Sequence, residues 1–183
     1  MNHLIAKAER FARSAHQGQI RKIRGTPYIE HPLNVAEILK NAHFADEVVA
    51  AGLLHDVVED TSVTIQEIQL EFGPEVARLV AGNTEEKHLI WEERKMHTIQ
   101  SVRDAGMELK ALVAADKLDN LKSIISNYEE YGDDVWSHFK RGREKQYWYY
   151  SNVSRAILDH TSQEEVPGYF HELRKLAERI KLT

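Results

Sequence analysis

The sequence of 183 residues contains no cysteine, which excludes disulfide bonds and thiolate metal sites. Any bound metal must therefore be held by histidine and carboxylate side chains. No run of about 18 apolar residues occurs, so no membrane-spanning helix is expected. The formal net charge of −5 argues against a surface that binds nucleic acid or an anionic membrane. We expect a cytoplasmic protein that binds neither.

The sequence also lacks the alternating pattern of β-strands, internal repeats and linker-like segments. Apolar residues instead recur at three- and four-residue spacings, which is typical of amphipathic helices. We therefore predict one all-α domain of about eight to ten helices. The predicted helices cover 3–17, a segment with Pro32 in its first turn, 46–60, Thr64 to Phe72 behind a capping box with Glu67, a segment starting at Pro74, 91–105, 108–128, Asp133 or Asp134 to about Asp159, and a segment opened by Pro167.

The segment A-G-L-L-H-D-V-V-E-D-T, residues 51–61, places four ionisable side chains inside an otherwise apolar helical pattern. Burying charge costs several kcal/mol unless it is paired or bound to metal. Residues four apart share a helix face, so His55 lies over Glu59 and Asp56 over Asp60. A solvated stripe or an acidic helix end is the simpler interpretation of such pairs.

Two further segments favour a metal site. P-Y-I-E-H-P places His31 at a helix start, and Asp116 follows four apolar residues within a helix. A lone buried aspartate there is costly, whereas a metal-bound one is not. With His55 and Asp56 these residues make a site of two imidazoles and two carboxylates, which suits Mn²⁺, Fe²⁺, Zn²⁺ or Co²⁺ better than Mg²⁺ or Ca²⁺.

The order H…HD…D resembles the signature of HD-domain metal-dependent phosphohydrolases. The chain also contains the segments R-K-I-R-G-T-P-Y-I-E-H-P, A-G-L-L-H-D-V-V-E-D-T, E-F-G-P-E-V-A-R-L-V and A-D-K-L-D-N-L. These four segments resemble the hydrolase domain of the Rel/Spo alarmone enzymes, and the resemblance covers roughly residues 3–125. Because no synthetase segment follows, the chain is most similar to the stand-alone small alarmone hydrolases.

The resemblance implies a single HD domain over 1–183 and hydrolysis of the 3′-pyrophosphate of guanosine tetraphosphate (ppGpp) or pentaphosphate (pppGpp). The products would be GDP or GTP and pyrophosphate. It further implies one Mn²⁺ on the four ligands named above, with Fe²⁺, Co²⁺ or Zn²⁺ as alternatives. Glu59 and Asp60 would then act on the attacking water, as orienting group and general base.

Substrate-binding residues are expected from the same resemblance. Arg21 and Lys22 match the family's R-K pair and would meet guanine and phosphate. Asn120 lies one turn beyond the aspartate ligand of its helix and matches a family position near the nucleoside, and Ser123 follows one turn later. Asp119 stands where many relatives carry His or Tyr, so no role is assigned to it.

Further cationic and aromatic candidates lie toward the C-terminus. Arg94 and Lys95 resemble a family E-R-K segment that faces phosphate, and pairing four residues apart on an exposed helix is the alternative. Arg143 and Tyr147 share a helix face and would close the pocket, although such aromatics are more often core residues. All other histidines are expected at the surface, and a homodimer is left open.

Two other functions compete with alarmone hydrolysis. An HD phosphohydrolase acting on another nucleotide, such as a deoxynucleotide or a dinucleotide cofactor, would share the fold and the metal site. A catalytically silent alarmone sensor would bind the nucleotide and signal through a partner. The intact pair Glu59 and Asp60 speaks against the silent sensor, because such a protein is free to lose them.

Overall fold

The computed structural model describes residues 3–162 and 166–182, in which the only extended pairing is a β-bridge between Ile20 and Pro27. Ten α-helices and one 3-10 helix make up this part of the chain, which confirms the predicted all-α fold. They are α1 (His3–Ala15), α2 (Glu30–Asn41), α3 (Asp46–Leu54), α4 (Val57–Asp60), α5 (Ile65–Phe72), α6 (Pro74–Asn83), α7 (Trp91–Arg103), α8 (Met107–Tyr131), the 3-10 helix (Gly132–His138), α9 (Gly142–Leu158) and α10 (Gly168–Leu182).

Two predicted helices are divided in the structure. The segment 46–60 breaks after Leu54, where the ring of His55 turns back and donates from Nδ1 to the carbonyl of Gly52 over 2.8 Å. The segment from Asp133 to Asp159 also divides, so neither candidate aspartate caps a long helix: both lie within the 3-10 helix. Gly142, at φ +66°, starts α9 separately, because this left-handed conformation favours glycine over other residues.

Helix α3 is buried on every side, since each residue from Val48 to Leu54 is inaccessible or nearly so. Helices α1, α2, α6 and α8 surround it. A helix that is apolar all round belongs in the core of a domain. His55, which directly follows α3, is therefore fully buried, and Asp56 is only partly exposed.

Helix α8 is the longest helix of the described chain, with 25 residues, and it contacts α2, α3, α6, α7, α9 and α10. Most of its faces are buried, and the buried set includes Asp116 and Asp119. Helices α2, α3 and α8 thus meet around the buried polar residues His31, His55 and Asp116. Among the described helices, none is long and apolar enough to cross a membrane. The cytoplasmic location, the lack of nucleic-acid binding and the homodimer stay predictions.

The basic loop between α1 and α2 folds into a hairpin-like turn. Its backbone is closed by hydrogen bonds from Tyr28 N to Gln19 O (2.9 Å) and from Arg21 N to Thr26 O (2.8 Å). Arg24 fastens the turn to α8, donating from Nε to Asn127 Oδ1 over 2.8 Å. The turn therefore holds Arg21 and Tyr28 against the site described next.

Candidate functional site

The four predicted metal ligands converge from three places in the fold: the start of α2, the α3–α4 junction and the middle of α8. Ligand atoms of His31, His55 and Asp116 lie within 4.8 Å of one another, and all three residues are buried. The two Nε2 atoms are 3.1 Å apart. Asp56 joins them, with Oδ2 3.1 Å from His55 Nε2 and 3.5 Å from His31 Nε2.

These residues fit a divalent ion. The Nδ1 atom of His55 faces the carbonyl of Gly52, and that of His31 faces a carboxylate 2.6 Å away, so both rings direct Nε2 at the cluster. Two Nε2 lone pairs 3.1 Å apart repel unless a proton or a cation lies between them. Donors bound at about 2.0–2.2 Å to one ion are roughly 3 Å apart when adjacent, which matches the observed spacing.

Burial, hydrogen bonds and neighbouring charges shift the pKa values of the groups in this cluster. Burial lowers the pKa of His31, but hydrogen bonds to Asp116 and Asp119 outweigh it and raise the pKa to about 9. Burial raises the pKa of Asp56, yet the charge of His55 and the hydrogen bond from it hold that pKa below its usual range. Imidazole ligates a metal ion only in its neutral form, so metal binding at this cluster is expected to depend on pH.

Asp116 is fixed by its own neighbours on α8. Lys117 Nζ donates to Oδ2 over 2.6 Å, and Asn120 Nδ2 donates to Oδ1 over 2.6 Å. Lys117 is itself largely buried, and although burial lowers its pKa, the Asp116 charge raises the pKa above the usual lysine range. Oδ1 lies 3.3 Å from His31 Nε2, so the pairing leaves this oxygen directed at the cluster.

The sequence pattern predicts no role for Tyr28, yet the structure places its hydroxyl against the predicted metal ligand Asp56. The hydroxyl donates to Asp56 Oδ2 over 2.6 Å. The ring packs against His16, with centroids 4.9 Å apart. His16 is only 3% exposed, so the expectation of a surface histidine is wrong at this position. The one sequence signal that could have indicated a role for Tyr28 is its position directly before I-E-H-P, the segment that contains His31.

Asp119 was likewise assigned no role, because it departs from the residues common in relatives. In the structure its Oδ2 accepts from His31 Nδ1 over 2.6 Å and from Arg21 over 3.1 Å. Its Oδ1 accepts from Asn34 Nδ2 over 2.9 Å. Burial raises the pKa of Asp119, but the His31 hydrogen bond and the charges of His31 and Arg21 lower it overall.

Two adjoining cavities open beside the cluster, of about 620 Å³ and about 160 Å³. Tyr28, Asp60 and Asn120 line both of them, so they form two parts of one cleft. His31 lines the larger part, whereas Asp56 and Asp116 line the smaller. The cluster therefore lies where the two parts meet.

Both predicted catalytic residues line the smaller cavity. Glu59 accepts from the backbone N–H of Glu85 over 3.3 Å, and burial raises the pKa of its carboxyl group. Asp60, at the end of α4, lines both cavities and is more exposed. The lining of this cavity contains five carboxylates and two lysines, an excess of negative charge that repels a phosphate unless a cation is bound.

Four of the predicted substrate-binding residues line the larger cavity. Arg21 donates to Asn120 Oδ1 over 3.3 Å in addition to its bond to Asp119. Ser123 is tied by Asn127, whose Nδ2 donates to its carbonyl oxygen over 2.7 Å. The structure thus brings Arg21, Lys22, Asn120 and Ser123 together in the lining of one cavity.

Arg94 and Lys95, the two cations of the E-R-K segment, lie in different environments. Lys95 lines the smaller cavity and is ion-paired with Glu85, which precedes α7. Arg94 pairs with the same carboxylate over 3.1 Å and is not among the described lining residues. Both cations thus pair with Glu85, which lies outside their helix, and not with a residue four positions away on the same helix.

Arg143 and Tyr147 lie away from the cleft. Arg143 donates to the carbonyl oxygens of Ile180 (3.0 Å) and Lys181 (2.8 Å), and the Tyr147 hydroxyl donates to Glu178 over 3.2 Å. Both side chains therefore fasten α9 to α10. The shared face was inferred from spacing alone, which cannot reveal that α10 covers that face. Tyr150, on the same helix, lines the larger cavity instead.

A family model described as HD domain matches residues 8–145. The guanosine-3′,5′-bis(diphosphate) 3′-pyrophosphohydrolase MESH1 of Homo sapiens is 43% identical over 123 residues, which cover 66% of this chain and 69% of that protein. The prediction that all of residues 1–183 forms one domain stays a prediction, because the family match ends at residue 145.

Two solved structures share the fold. A protein of Listeria monocytogenes EGD-e superposes with a TM-score of 0.79 at 49% identity, covering 85% of this chain and 98% of that one. A second structure, described as a metazoan ortholog of SpoT that hydrolyses ppGpp and plays a role in starvation responses, gives a TM-score of 0.78 at 28% identity. It covers 98% of this chain and 94% of its own.

Proposed function

The chain belongs to the HD-domain family, and we propose that it hydrolyses the 3′-pyrophosphate of ppGpp or pppGpp. The observation that supports this proposal is the cleft, in which a cluster of two histidines and two aspartates adjoins the cavity that Glu59 and Asp60 line. Water would cleave the bond between the ribose 3′ oxygen and the adjacent phosphorus. The hydroxyl group goes to pyrophosphate and the proton to the 3′ oxygen, which leaves GDP or GTP.

We propose that one divalent ion, Mn²⁺ in the first instance, is held by His31, His55, Asp56 and Asp116. Mixed nitrogen and oxygen ligands support Mn²⁺, Fe²⁺, Co²⁺ or Zn²⁺ over an ion that prefers oxygen alone. The chemistry that such an ion supplies is activation of water as a nucleophile. The negative excess of the smaller cavity supports the same requirement, since pyrophosphate needs a cation to enter it.

In this proposal Asp60 is the general base that takes a proton from water, and Glu59 orients that water. Asp60 is suited to this role because it lines both parts of the cleft, and would therefore lie between the nucleoside and the reacting pyrophosphate. Glu59 is held by the Glu85 backbone N–H, which fixes its direction. A carboxylate within one hydrogen bond of water contributes typically about 10²–10⁴-fold to such a reaction.

The nucleoside would occupy the larger cavity and the reacting pyrophosphate the smaller one. The Arg21 guanidinium presents a planar face on which guanine can stack, and Lys22 supplies charge for phosphate. Lys95 is placed to meet the reacting pyrophosphate, because it lines the smaller cavity with Glu59. Arg94, Arg143 and Tyr147 are left out of the proposed substrate site.

Incubation of the purified protein with ppGpp and Mn²⁺, followed by anion-exchange chromatography, tests the activity. We expect GDP and pyrophosphate, loss of turnover with a chelator, and recovery with Mn²⁺. Fe²⁺, Co²⁺ and Zn²⁺ are compared in parallel, as are deoxynucleotides and dinucleotide cofactors. Turnover of one of those compounds in place of ppGpp would favour the other phosphohydrolase function, and binding of ppGpp without turnover would favour the sensor.

Two variants separate the metal ligands from the groups that act on water. Asp56→Ala should lose Mn²⁺ binding and activity together, because it removes a ligand oxygen. Glu59→Ala should lose activity and keep most of its Mn²⁺ affinity. Normal turnover by Glu59→Ala would contradict the role given to this residue.

A further inference from the structure

We infer that Asp119 is a positioning residue that fixes two functional side chains at once: the His31 imidazole for the metal and the Arg21 guanidinium for the nucleotide. One oxygen, Oδ2, accepts from His31 Nδ1 over 2.6 Å and from Arg21 over 3.1 Å. This inference rests on the proposed metal site and adds to it a link between metal and substrate that passes through one carboxylate.

The His31 contact decides which ring nitrogen is free. A carboxylate accepts only, so Nδ1 carries the proton and Nε2 is left to face the cluster. His55 obtains the same orientation from a backbone carbonyl, that of Gly52. Histidine ligands usually have such a partner, and losing one typically costs about 10–100-fold in metal affinity or activity.

The Arg21 contact decides the plane of the guanidinium. One terminal nitrogen donates to Asp119 and the other donates to Asn120 over 3.3 Å. Two bonds at separate nitrogens hold the plane at a defined angle in the wall of the larger cavity. A guanidinium held in this way has little rotational freedom left to lose when a base stacks on it.

The carboxylate is itself anchored. Asn34, on α2, donates to Oδ1 over 2.9 Å, so both oxygens have partners. Asp119 is 7% exposed and its helix position is fixed by the buried face of α8. It therefore joins α8, α2 and the α1–α2 loop at one point, and its removal is expected to affect metal and nucleotide binding beyond any loss of stability.

Titration of the purified protein with Mn²⁺ by calorimetry, with no nucleotide present, tests the metal contact. Asp119→Ala should weaken Mn²⁺ binding about 10–100-fold, and Asp119→Asn less, because its amide oxygen still accepts from Nδ1. The matched control is Glu129→Gln, an exposed carboxylate of α8 that pairs with Arg179. An Asp119→Ala affinity within twofold of the unmodified protein would overturn the metal half of the inference.

A double-mutant cycle with ppGpp tests the nucleotide contact. At saturating Mn²⁺, Asp119→Asn and Arg21→Ala should each raise KM, and the double variant should raise it by less than the product of the two. Multiplicative effects on KM would show that Asp119 does not act through Arg21. Because the calorimetry uses no nucleotide, a failure of the proposed activity leaves the metal result interpretable.

Nitrogen NMR of the unmodified protein keeps the inference testable even if the variants do not fold. With Zn²⁺ as a diamagnetic probe, the His31 ring should carry its proton on Nδ1, as should His55. Asp119→Asn, where folded, should shift the His31 signal and leave that of His55 unchanged. A His31 ring protonated on Nε2 in the Zn²⁺-loaded protein would overturn the assignment.

Discussion

Tyr28 contacts the candidate metal site without being one of its proposed ligands. Its hydroxyl donates to Asp56 Oδ2 over 2.6 Å, and its ring borders both parts of the cleft. The bond orients the carboxylate toward the two imidazoles. Removing the hydroxyl alone leaves the ring and its packing against His16 in place.

We therefore expect Tyr28→Phe to weaken Mn²⁺ binding on the order of 10-fold while the free energy of unfolding falls by only about 0.5–1.5 kcal/mol. Calorimetric titration with Mn²⁺ and chemical denaturation measure the two quantities. The control is Tyr131→Phe, which makes the same substitution at an exposed tyrosine. Unchanged Mn²⁺ affinity in Tyr28→Phe would show that Asp56 is oriented without this bond.

Single residues also mark the limit of sequence reasoning. The candidate metal ligands could be proposed as a group, because a buried charge in an apolar pattern demands a partner, and the structure brings them together. The contacts of Tyr28 and Asp119 were not predictable in the same way, because their hydrogen-bond partners Asp56 and His31 lie 28 and 88 positions away in the sequence. Asp119 was passed over for departing from relatives, and the structure shows it bonded to His31 and Arg21.

At the scale of the element, the capping box of α5 is a local feature that the sequence predicted and the structure confirms. Thr64 Oγ1 accepts from Glu67 N over 3.3 Å, and the Glu67 carboxylate accepts from Thr64 N over 2.7 Å. Thr64→Ala should lower the free energy of unfolding by about 1 kcal/mol. Urea denaturation measures this, and Gln66→Ala, exposed in the same helix, should leave stability nearly unchanged.

The same cap gives a pH dependence. Hydrogen bonds from Thr64, first its backbone and then its side chain, lower the pKa of Glu67. A carboxyl group with a lowered folded-state pKa stabilises the protein above its unfolded pKa of about 4.3 and loses that contribution as the pH falls. The stability difference between the unmodified protein and Glu67→Gln should therefore be present at pH 7 and shrink below about pH 4. A difference that grows on acidification would contradict this.

Helices α2 and α3 approach closely at Gly52. A Cβ atom there would lie 2.7 Å from Leu39 Cδ1 and 3.4 Å from the Ala36 backbone, and Leu39 is fully buried. Gly52→Ala should therefore destabilise the protein by about 1–3 kcal/mol through overpacking. Because α2 carries His31 and α3 leads to His55, Mn²⁺ affinity should fall as well.

Thermal unfolding and Mn²⁺ titration of Gly52→Ala measure both effects. A matched control is Gly106→Ala, where an added Cβ meets nothing within 4 Å. If Gly52→Ala is as stable as the unmodified protein, then Leu39 must have room to move. In that case the close approach of α2 and α3 does not require a glycine at position 52.

At the scale of the whole molecule, a single ion would connect three distant parts of the chain: α2, the α3–α4 junction and α8. A ligand that binds only the folded state stabilises it by about 2.7 kcal/mol at 100 times its Kd. For a chain of this size that corresponds to roughly 5–10 °C in Tm. Thermal scans with Mn²⁺ and with a chelator should differ by this amount, and Asp56→Ala should lose the difference.

The sequence by itself determined the all-α class, most helix boundaries and the capping box, and it named the candidate ligand residues that the structure brings together. These follow from periodicity, from local hydrogen bonds and from the cost of burying charge, all of which act over a few neighbouring residues. Only the tertiary structure decided where α3 ends, that Arg143 and Tyr147 face α10, and that Asp119 joins His31 to Arg21. Those outcomes depend on which helices pack together, and packing brings side chains into contact across some 90 residues of sequence.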